Sequence, residues 1–226
     1  MERRSAAPRG PAPLRASGLD GPHGKERTTL GLIVNILVNI AAFVFLAIGG
    51  GLGSAWYMME TGSRLSTRSF GPWTTWSAAG RPDADPYTRA HTIRNALLPL
   101  ASTLELTFRA KADSRGSRLH AGCEYVIVMD PLDNAWWSLA AFDGQGRLIQ
   151  NTAERYAFTS DSAMREPDGR AIITLARDAR PGNWLPSGSA SRINLVLTVQ
   201  DPAYAAAVHE GRPVKPLPDI QRMSCR

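Results

Sequence analysis

The sequence predicts a mainly β protein, an antiparallel jelly-roll-like sandwich with two short helices, preceded by one N-terminal transmembrane helix. Seven short apolar or alternating segments lie between positions 104 and 200, separated by turns rich in Gly, Asp, Asn and Pro. No helical pattern separates these segments, so parallel β-α-β units are not expected. In front of them, residues 28–59 contain no charged side chain.

Five segments follow from this pattern. Residues 1–27 contain hardly any large apolar residue and are predicted to be a disordered, basic cytoplasmic tail. Residues 28–56 are predicted to be the transmembrane anchor, because about 20 apolar residues cross the hydrocarbon core. The remaining segments are an irregular connector at 57–82, a β-rich domain at 83–211 and an extended, Pro-rich C-terminal tail at 212–226.

Two helices flank the predicted strands. The first is expected from about residue 86 to 98, with Asp85 as the N-cap, Pro86 in the first turn and Pro99 at the end. The second is expected in "DPAYAAAVHEG", where Asp201 caps the helix and Gly211 ends it.

The strands are recognised by alternation and by continuous apolar runs. In "LELTFRAKA" apolar and polar residues alternate, as in a half-buried strand. "CEYVIVMD" is predicted to be a buried strand, and "WWSLAAFD" with "RLIQ" a hairpin turning at "GQG". Three more strands are predicted in "RYAFTS", "AIITLA" and "INLVLTVQ".

The charges flanking the apolar segment predict its orientation. Basic residues are frequent before it and sparse after it, at Arg9, Arg15, Lys25 and Arg27 against Arg64 and Arg68. The positive-inside rule then leaves the N-terminus in the cytoplasm and places the main domain on the opposite side of the membrane. The alternative is a signal peptide cleaved after Ala55, but the apolar segment is longer than the usual ~7–15 residues.

Expected partners follow from charge and from the anchor. Residues 60–226 carry twenty basic and seventeen acidic residues, a net charge of only +3, and these charges are scattered, so no nucleic-acid partner is expected. The membrane is the predicted partner of the apolar segment. Asn35 and Asn39 lie one helical turn apart, near the small residues Gly49–Gly51 and Gly53, a pattern that favours a homo-oligomer through the transmembrane helix.

The chain contains two cysteines, Cys123 and Cys225. In an oxidising compartment they are candidates for one disulfide, which would hold the C-terminal tail against the domain. The alternative is two free thiols.

Six stretches in order carry a resemblance to a known family: "GPWTTW", "DADPYTRAH", "CEYVIVMD", "WWSLAAFD", "RYAFTSDS" and "PGNWLPSG". Over residues 71–202 the chain resembles the bacterial domain-of-unknown-function 1214 family, in its short membrane-anchored form without the 1254 domain of longer relatives. The resemblance implies a β-rich, jelly-roll-like fold. It implies no established reaction and no catalytic residues.

The densest polar cluster is "RPDADPYTRAHTIR", in which Asp83, Asp85, His91 and Arg94 are candidate catalytic residues. The alternative is that the aspartates serve as a turn and a helix cap. No nucleotide, metal or nucleophile motif is present, and neither a cofactor nor a metal is expected.

The tryptophans are the second set of candidates. Trp73, Trp76 and Trp184 are predicted in loops, while the adjacent Trp136 and Trp137 must point to opposite faces of a strand. A stacking platform for a sugar ring or an apolar ligand would use Trp73, Trp76, Trp137 and Trp184. The alternative places loop tryptophans in the core, and for "GNWLP" we expect Trp184 and Leu185 to insert into the end of the sandwich.

Two functions are compatible with these features. One is a single-pass protein of the bacterial inner membrane, with its N-terminus in the cytoplasm and a periplasmic domain that binds a ligand, a glycan or an envelope protein. The other is a hydrolase or carbohydrate-active enzyme acting near Asp83, Asp85, His91 and Arg94. A binding domain predicts that these side chains are occupied in caps and ion pairs, whereas an enzyme predicts that they converge in a pocket.

Overall fold

The computed structural model describes residues 23–62, 66–132, 135–212 and 214–225. Two compact units divide the chain, residues 1–53 and residues 54–226. Most of the tail predicted at 1–27 lies outside the described residues.

The first unit contains most of helix α1, which runs from His23 to Thr61. Its segment Thr29–Glu60 is long and apolar enough to cross a membrane. The signal sequence of an exported protein meets the same criteria of length and composition. The predicted apolar helix is therefore present, and it extends beyond the predicted segment 28–56 at both ends.

The second unit is mainly β and contains two sheets, as the sequence predicts. The six-stranded sheet has the order β1-β2-β3-β9-β5-β6 and is antiparallel throughout. Its strands are β1 Thr67–Phe70, β2 Trp73–Trp76, β3 Glu105–Ala110, β5 Trp136–Asp143, β6 Ala157–Thr159 and β9 Ile193–Gln200.

The four-stranded sheet has the order β10-β4-β7-β8. Its strands are β4 Cys123–Met129, β7 Ala171–Ala176, β8 Asn183–Pro186 and β10 Asp219–Cys225. Strand β8 pairs with β7 in parallel, which differs from the fully antiparallel arrangement predicted. The reason is that the loop 177–182 carries the chain back to the starting end of β7 before β8 begins, so both strands run the same way.

The core lies between the inward faces of the two sheets. Alternate residues of β9 are buried, as are alternate residues of β4, and both sets belong to one apolar cluster. Burying a large aliphatic or aromatic side chain contributes about 1.5–3 kcal/mol, so this alternation is what fixes the register of each strand.

The segment 57–82, predicted to be an irregular connector, contains the hairpin β1–β2 instead. Its residues are rich in Thr and aromatic side chains, which favour strands, and Gly71 turns the chain with a φ of +58°. Strand β2 also pairs with β3, so the hairpin extends the sheet. The turn residues in "GPWTTW" concealed this pairing in the sequence.

Helix α2 spans Pro86–Arg94 and ends earlier than the predicted residue 98. Asn95 is the C-cap, and Ala96 adopts a φ of +50°, which interrupts the helix before Pro99. Helix α3 spans Pro202–Glu210, as expected from its cap Asp201 and from Gly211, whose φ is +71°.

The C-terminal tail is extended as predicted, but part of it is a sheet strand. Strand β10 pairs with β4, and Ile220 is fully buried. A disulfide joins Cys123 to Cys225, the two residues that face each other at one end of this pair. In "RLIQ", by contrast, the predicted hairpin partner is reduced to a single bridge between Phe142 and Leu148.

Candidate functional site

A groove of about 380 Å³ lies on the outward face of the six-stranded sheet. Strands β3 and β9 and the end of β5 form its floor. Helix α2 and the segment 95–102 form one flank, and the turn at 145–146 forms the other. The volume falls within the range of small-molecule sites, about 300–1,000 Å³. This groove is therefore the candidate functional site.

Strand β3 contributes to the floor because its side chains alternate between the core and the outward face of the sheet. Leu106, Phe108 and Ala110 point into the core, so the residues between them point outward. Glu105, Thr107, Arg109 and Lys111 all line the groove. At about 3.3 Å per residue these side chains extend over roughly 20 Å, so the groove is elongated along β3.

The residues that face the outward side chains of β3 from the neighbouring strands are uncharged where Arg109 and Thr107 lie. Arg109 lies opposite Thr74 of β2 and Val196 of β9 in the strand register. The next outward-facing residue of β3 is Thr107. It lies opposite Thr198 of β9, which lies opposite Ser138 of β5. These short side chains leave room above the sheet.

The first flank contains a stacked pair of rings. His91 of α2 lies on Trp76 of β2 with ring centroids 4.2 Å apart, and both side chains line the groove. His91 Nδ1 is 2.8 Å from the carbonyl oxygen of Met59, which can only accept, so Nδ1 donates and Nε2 is the unprotonated nitrogen. Nε2 has no hydrogen-bond partner among the described residues.

Burial sets the protonation of this histidine. His91 is only 8% exposed, and this burial lowers its pKa. The bond to Met59 and the charge of Glu60 act in the opposite direction, whereas Arg109 and Lys111 lower the pKa further. The ring is consequently neutral at pH 7.

The same flank also contributes an apolar surface. Leu97, Leu98, Pro99 and Leu100 line the groove, and Leu98 is 99% exposed. Ser102 fixes the end of this segment, donating its backbone N–H to Ala79 and its hydroxyl to Ser77. Gly80 allows the close approach: a Cβ there would lie 2.4 Å from the Leu100 carbonyl oxygen.

The charges are separated along the floor. Arg109 is half-buried, and its guanidinium has no hydrogen bond or ion pair within the described part of the chain. Burial lowers the pKa of its guanidinium. Lys111 lies on the same face at the end of β3, while Glu105 lies at the beginning and accepts a 2.8 Å hydrogen bond from Gln200.

The predicted catalytic cluster does not converge. Asp83 is exposed and forms an ion pair with Arg81, which lowers the pKa of its carboxyl group. Asp85 caps α2, accepting from the backbone of Tyr87 and Thr88 and from the Thr88 hydroxyl. Neither aspartate contacts His91, and neither lines the groove.

Arg94 contacts the last turns of α1 instead. Its guanidinium lies 3.6 Å from the centre of the Trp56 ring and 3.7 Å from the Glu60 carboxylate. His91 and Arg94 are thus brought together on one side of α2, against residues 56–60. Only His91 also faces the groove.

The four candidate tryptophans are dispersed. Trp73 and Trp137 are fully buried core residues, so neither can stack on a ligand; Trp73 donates its Nε1–H to the Pro218 carbonyl oxygen at 2.7 Å. Trp136 is the exposed member of its pair, at 37%. Of the four candidates, Trp76 lines the groove.

Trp184 belongs to strand β8, not to a loop, as do Trp73 and Trp76 to β2. Within "GNWLP", Leu185 is the residue fully buried in the core, whereas Trp184 is half-buried on the opposite face and donates to the Ala176 carbonyl oxygen. The expected insertion of both side chains is therefore correct for Leu185 only, because alternation in a strand separates neighbours.

Sequence reasoning did not identify Arg109 or the groove. The outward set of β3 was visible in the alternation of "LELTFRAKA", but nothing in the sequence shows that α2 and the segment 95–102 flank that face. The groove is assembled by contacts between distant parts of the chain, such as Trp76 with His91.

Comparisons with known proteins identify one family and two similar solved structures. The model of a family described as "Protein of unknown function (DUF1214)" matches residues 105–204. A crystal structure of a protein from Vibrio parahaemolyticus is similar with a TM-score of 0.54 at 15% sequence identity, over 79% of this chain and 44% of that one. An uncharacterized protein from Burkholderia cenocepacia is similar at 20% identity with a TM-score of 0.36, over 54% and 30% of the two chains.

The chain spans less than half the length of these two solved structures. A search of curated proteins finds no significant match. At such identities the similarity to the Vibrio protein concerns the fold alone.

Proposed function

We propose that this chain is anchored in the membrane and that its domain binds a ligand in the periplasm. The chain belongs to the DUF1214 family through residues 105–204. Its ligand is an elongated molecule with a polar and an apolar part. The groove on the six-stranded sheet is the binding site, and the mixture of surfaces in that groove is the observation that carries the proposal.

The groove combines the two surfaces that such a ligand requires. The segment 97–100 offers exposed leucine side chains, whereas the floor offers hydroxyl, guanidinium and ammonium groups. Apolar pockets with a few polar groups are the usual form of a small-molecule site. A length of roughly 20 Å favours a chain-like ligand over a single sugar ring.

Binding is favoured over hydrolysis by the state of the acidic residues. The carboxylates proposed for catalysis serve an ion pair and a helix cap, at Asp83 and Asp85. His91 is neutral and packed on Trp76, and no described carboxylate forms a hydrogen bond with its ring. A general acid–base pair needs both groups within reach of one substrate, about 3 Å.

Two independent features support a periplasmic location for the domain. The apolar segment Thr29–Glu60 suits a membrane anchor, and more basic residues precede it closely than follow it. The disulfide between Cys123 and Cys225 is of a kind that persists outside the cytoplasm. Proteinase K added to spheroplasts should degrade the domain while leaving cytoplasmic markers intact; protection of the domain would contradict this topology.

The groove is tested by filling it. Val196 is half-buried on the floor, so Val196→Trp should obstruct the ligand without entering the core. The probe is 1-octanol, titrated by calorimetry into the full chain in phosphatidylcholine nanodiscs, with empty nanodiscs subtracted. We expect Val196→Trp to weaken binding by at least tenfold.

The matched control is Val126→Trp, which alters a half-buried valine on the outward face of the other sheet. That variant should bind octanol like the unmodified chain. Equal weakening by both substitutions, or octanol binding that survives Val196→Trp, would contradict the assignment of the groove.

A further inference from the structure

We infer that the ligand of this groove carries an anionic head group, a carboxylate or a phosphate, which Arg109 and Lys111 bind. The inference rests on the proposed function and specifies the ligand class. Its principal observation is a half-buried guanidinium that lacks a counter-charge among the described residues.

The neighbours of Arg109 cannot neutralise it. Across the strands it faces Thr74 and Val196, and along β3 its outward neighbours are Thr107 and Lys111. A buried charge is costly unless it is paired, and arginine is rarely buried without a partner. An anion in the groove would supply the missing pair, and the planar guanidinium suits the two oxygens of a carboxylate or phosphate.

The surrounding groups reinforce a positive potential at this end of the groove. Lys111 lines the groove on the same face, and no described residue forms an ion pair with it. His91 and Trp76 contribute no negative charge. Burial lowers the pKa of Arg109, as expected for a cation that has no ion-pair partner among the described residues.

The distribution of charge also orients the ligand. Glu105, the carboxylate among the described lining residues, lies four residues before Arg109, about 13 Å along β3, and is bonded to Gln200. The apolar segment 97–100 leads into the beginning of β3, whereas Arg109 and Lys111 lie at its end. An alkyl chain would therefore lie toward the beginning of β3, with the head group at Arg109.

The experiment measures the contribution of the head group. Octyl phosphate, octanoate, 1-octanol and inorganic phosphate are titrated separately into the full chain in phosphatidylcholine nanodiscs. A charge-assisted hydrogen bond in a partly buried site predicts that the octyl anions bind about tenfold to a hundredfold more tightly than octanol. Arg109→Gln should remove this difference, and Arg109→Lys should retain part of it.

Arg115→Gln is the matched control, since it removes one exposed arginine outside the groove and keeps the net charge of the Arg109 variant. It should bind octyl phosphate like the unmodified chain. Inorganic phosphate that binds as tightly as octyl phosphate, and depends on Arg109, would support the anion site and identify a free anion as its ligand.

Two results would overturn the inference in distinguishable ways. If octanol binds as tightly as the octyl anions and Arg109→Gln has no effect, the anion site is wrong while the groove remains a binding site. If none of the probes binds, the proposed function fails together with the inference.

Discussion

Removal of the disulfide should destabilise the domain by several kcal/mol without changing its fold. The bond between Cys123 and Cys225 closes a loop with a sequence separation of 102. In the chain-entropy treatment a cross-link of that length lowers the entropy of the unfolded state enough to stabilise the folded state by about 4.7 kcal/mol at 25 °C. Strand β10 is also held by its pairing with β4 and by the buried Ile220, so the folded state should persist.

The test uses the double variant Cys123→Ala with Cys225→Ala. Urea unfolding of the full chain in nanodiscs is followed by tryptophan fluorescence, and the near-ultraviolet circular dichroism reports the native packing. We expect a loss of about 3–5 kcal/mol with an unchanged native spectrum. The unmodified chain under reducing conditions is the control and should reproduce the variant. A loss below about 1 kcal/mol would refute the entropic reasoning.

Two further predictions concern α2, and both are measured by urea unfolding. Asp85→Ala removes the N-cap and should lower the free energy of unfolding by about 1 kcal/mol. Asp85→Asn should lower it less, because its amide oxygen can still accept the capping hydrogen bonds. Equal losses for the two variants would contradict the capping role. Burial lowers the pKa of His91 below its ordinary value of 6.5, so the unfolded state binds the proton more readily. The contribution of His91 to the free energy of unfolding is complete above pH 6.5, and it decreases as the pH falls toward the pKa of His91 in the folded state. The charged groups near the ring are Glu60, Arg109 and Lys111. His91→Gln should reduce the loss of stability between pH 7 and 5.5, and an unchanged pH dependence would contradict this origin.

Much of the fold could be predicted because its signals are local. The alternation in β3 and β9 and the caps of α2 and α3 each depend on a few consecutive residues. The hairpin β1–β2 was missed because its strands are short and its turn residues resemble a loop. The parallel pairing of β8 was missed because it depends on where the chain returns, which no local pattern records.

The candidate site was harder to predict for the same reason. Asp83 and Asp85 lie close to His91 in sequence, yet their side chains are used by an ion pair and a helix cap. Arg109, by contrast, looked like one of the solvated residues of an amphipathic strand. Its importance depends on its position in three dimensions, where the described residues opposite it in the sheet, Thr74 and Val196, carry no charge.

The sequence by itself determined the apolar helix, the β-rich class, the helix caps and the pair of cysteines, because apolar runs, alternation, capping and residue counts are local properties. Only the tertiary structure decided which tryptophans are core residues and where a groove opens. These depend on packing between distant segments: β2 against α2 through Trp76 and His91, and β3 beside β2 and β9. The lack of a counter-charge for Arg109 among the described residues is a consequence of that packing, because the strand register places Thr74 and Val196 beside it.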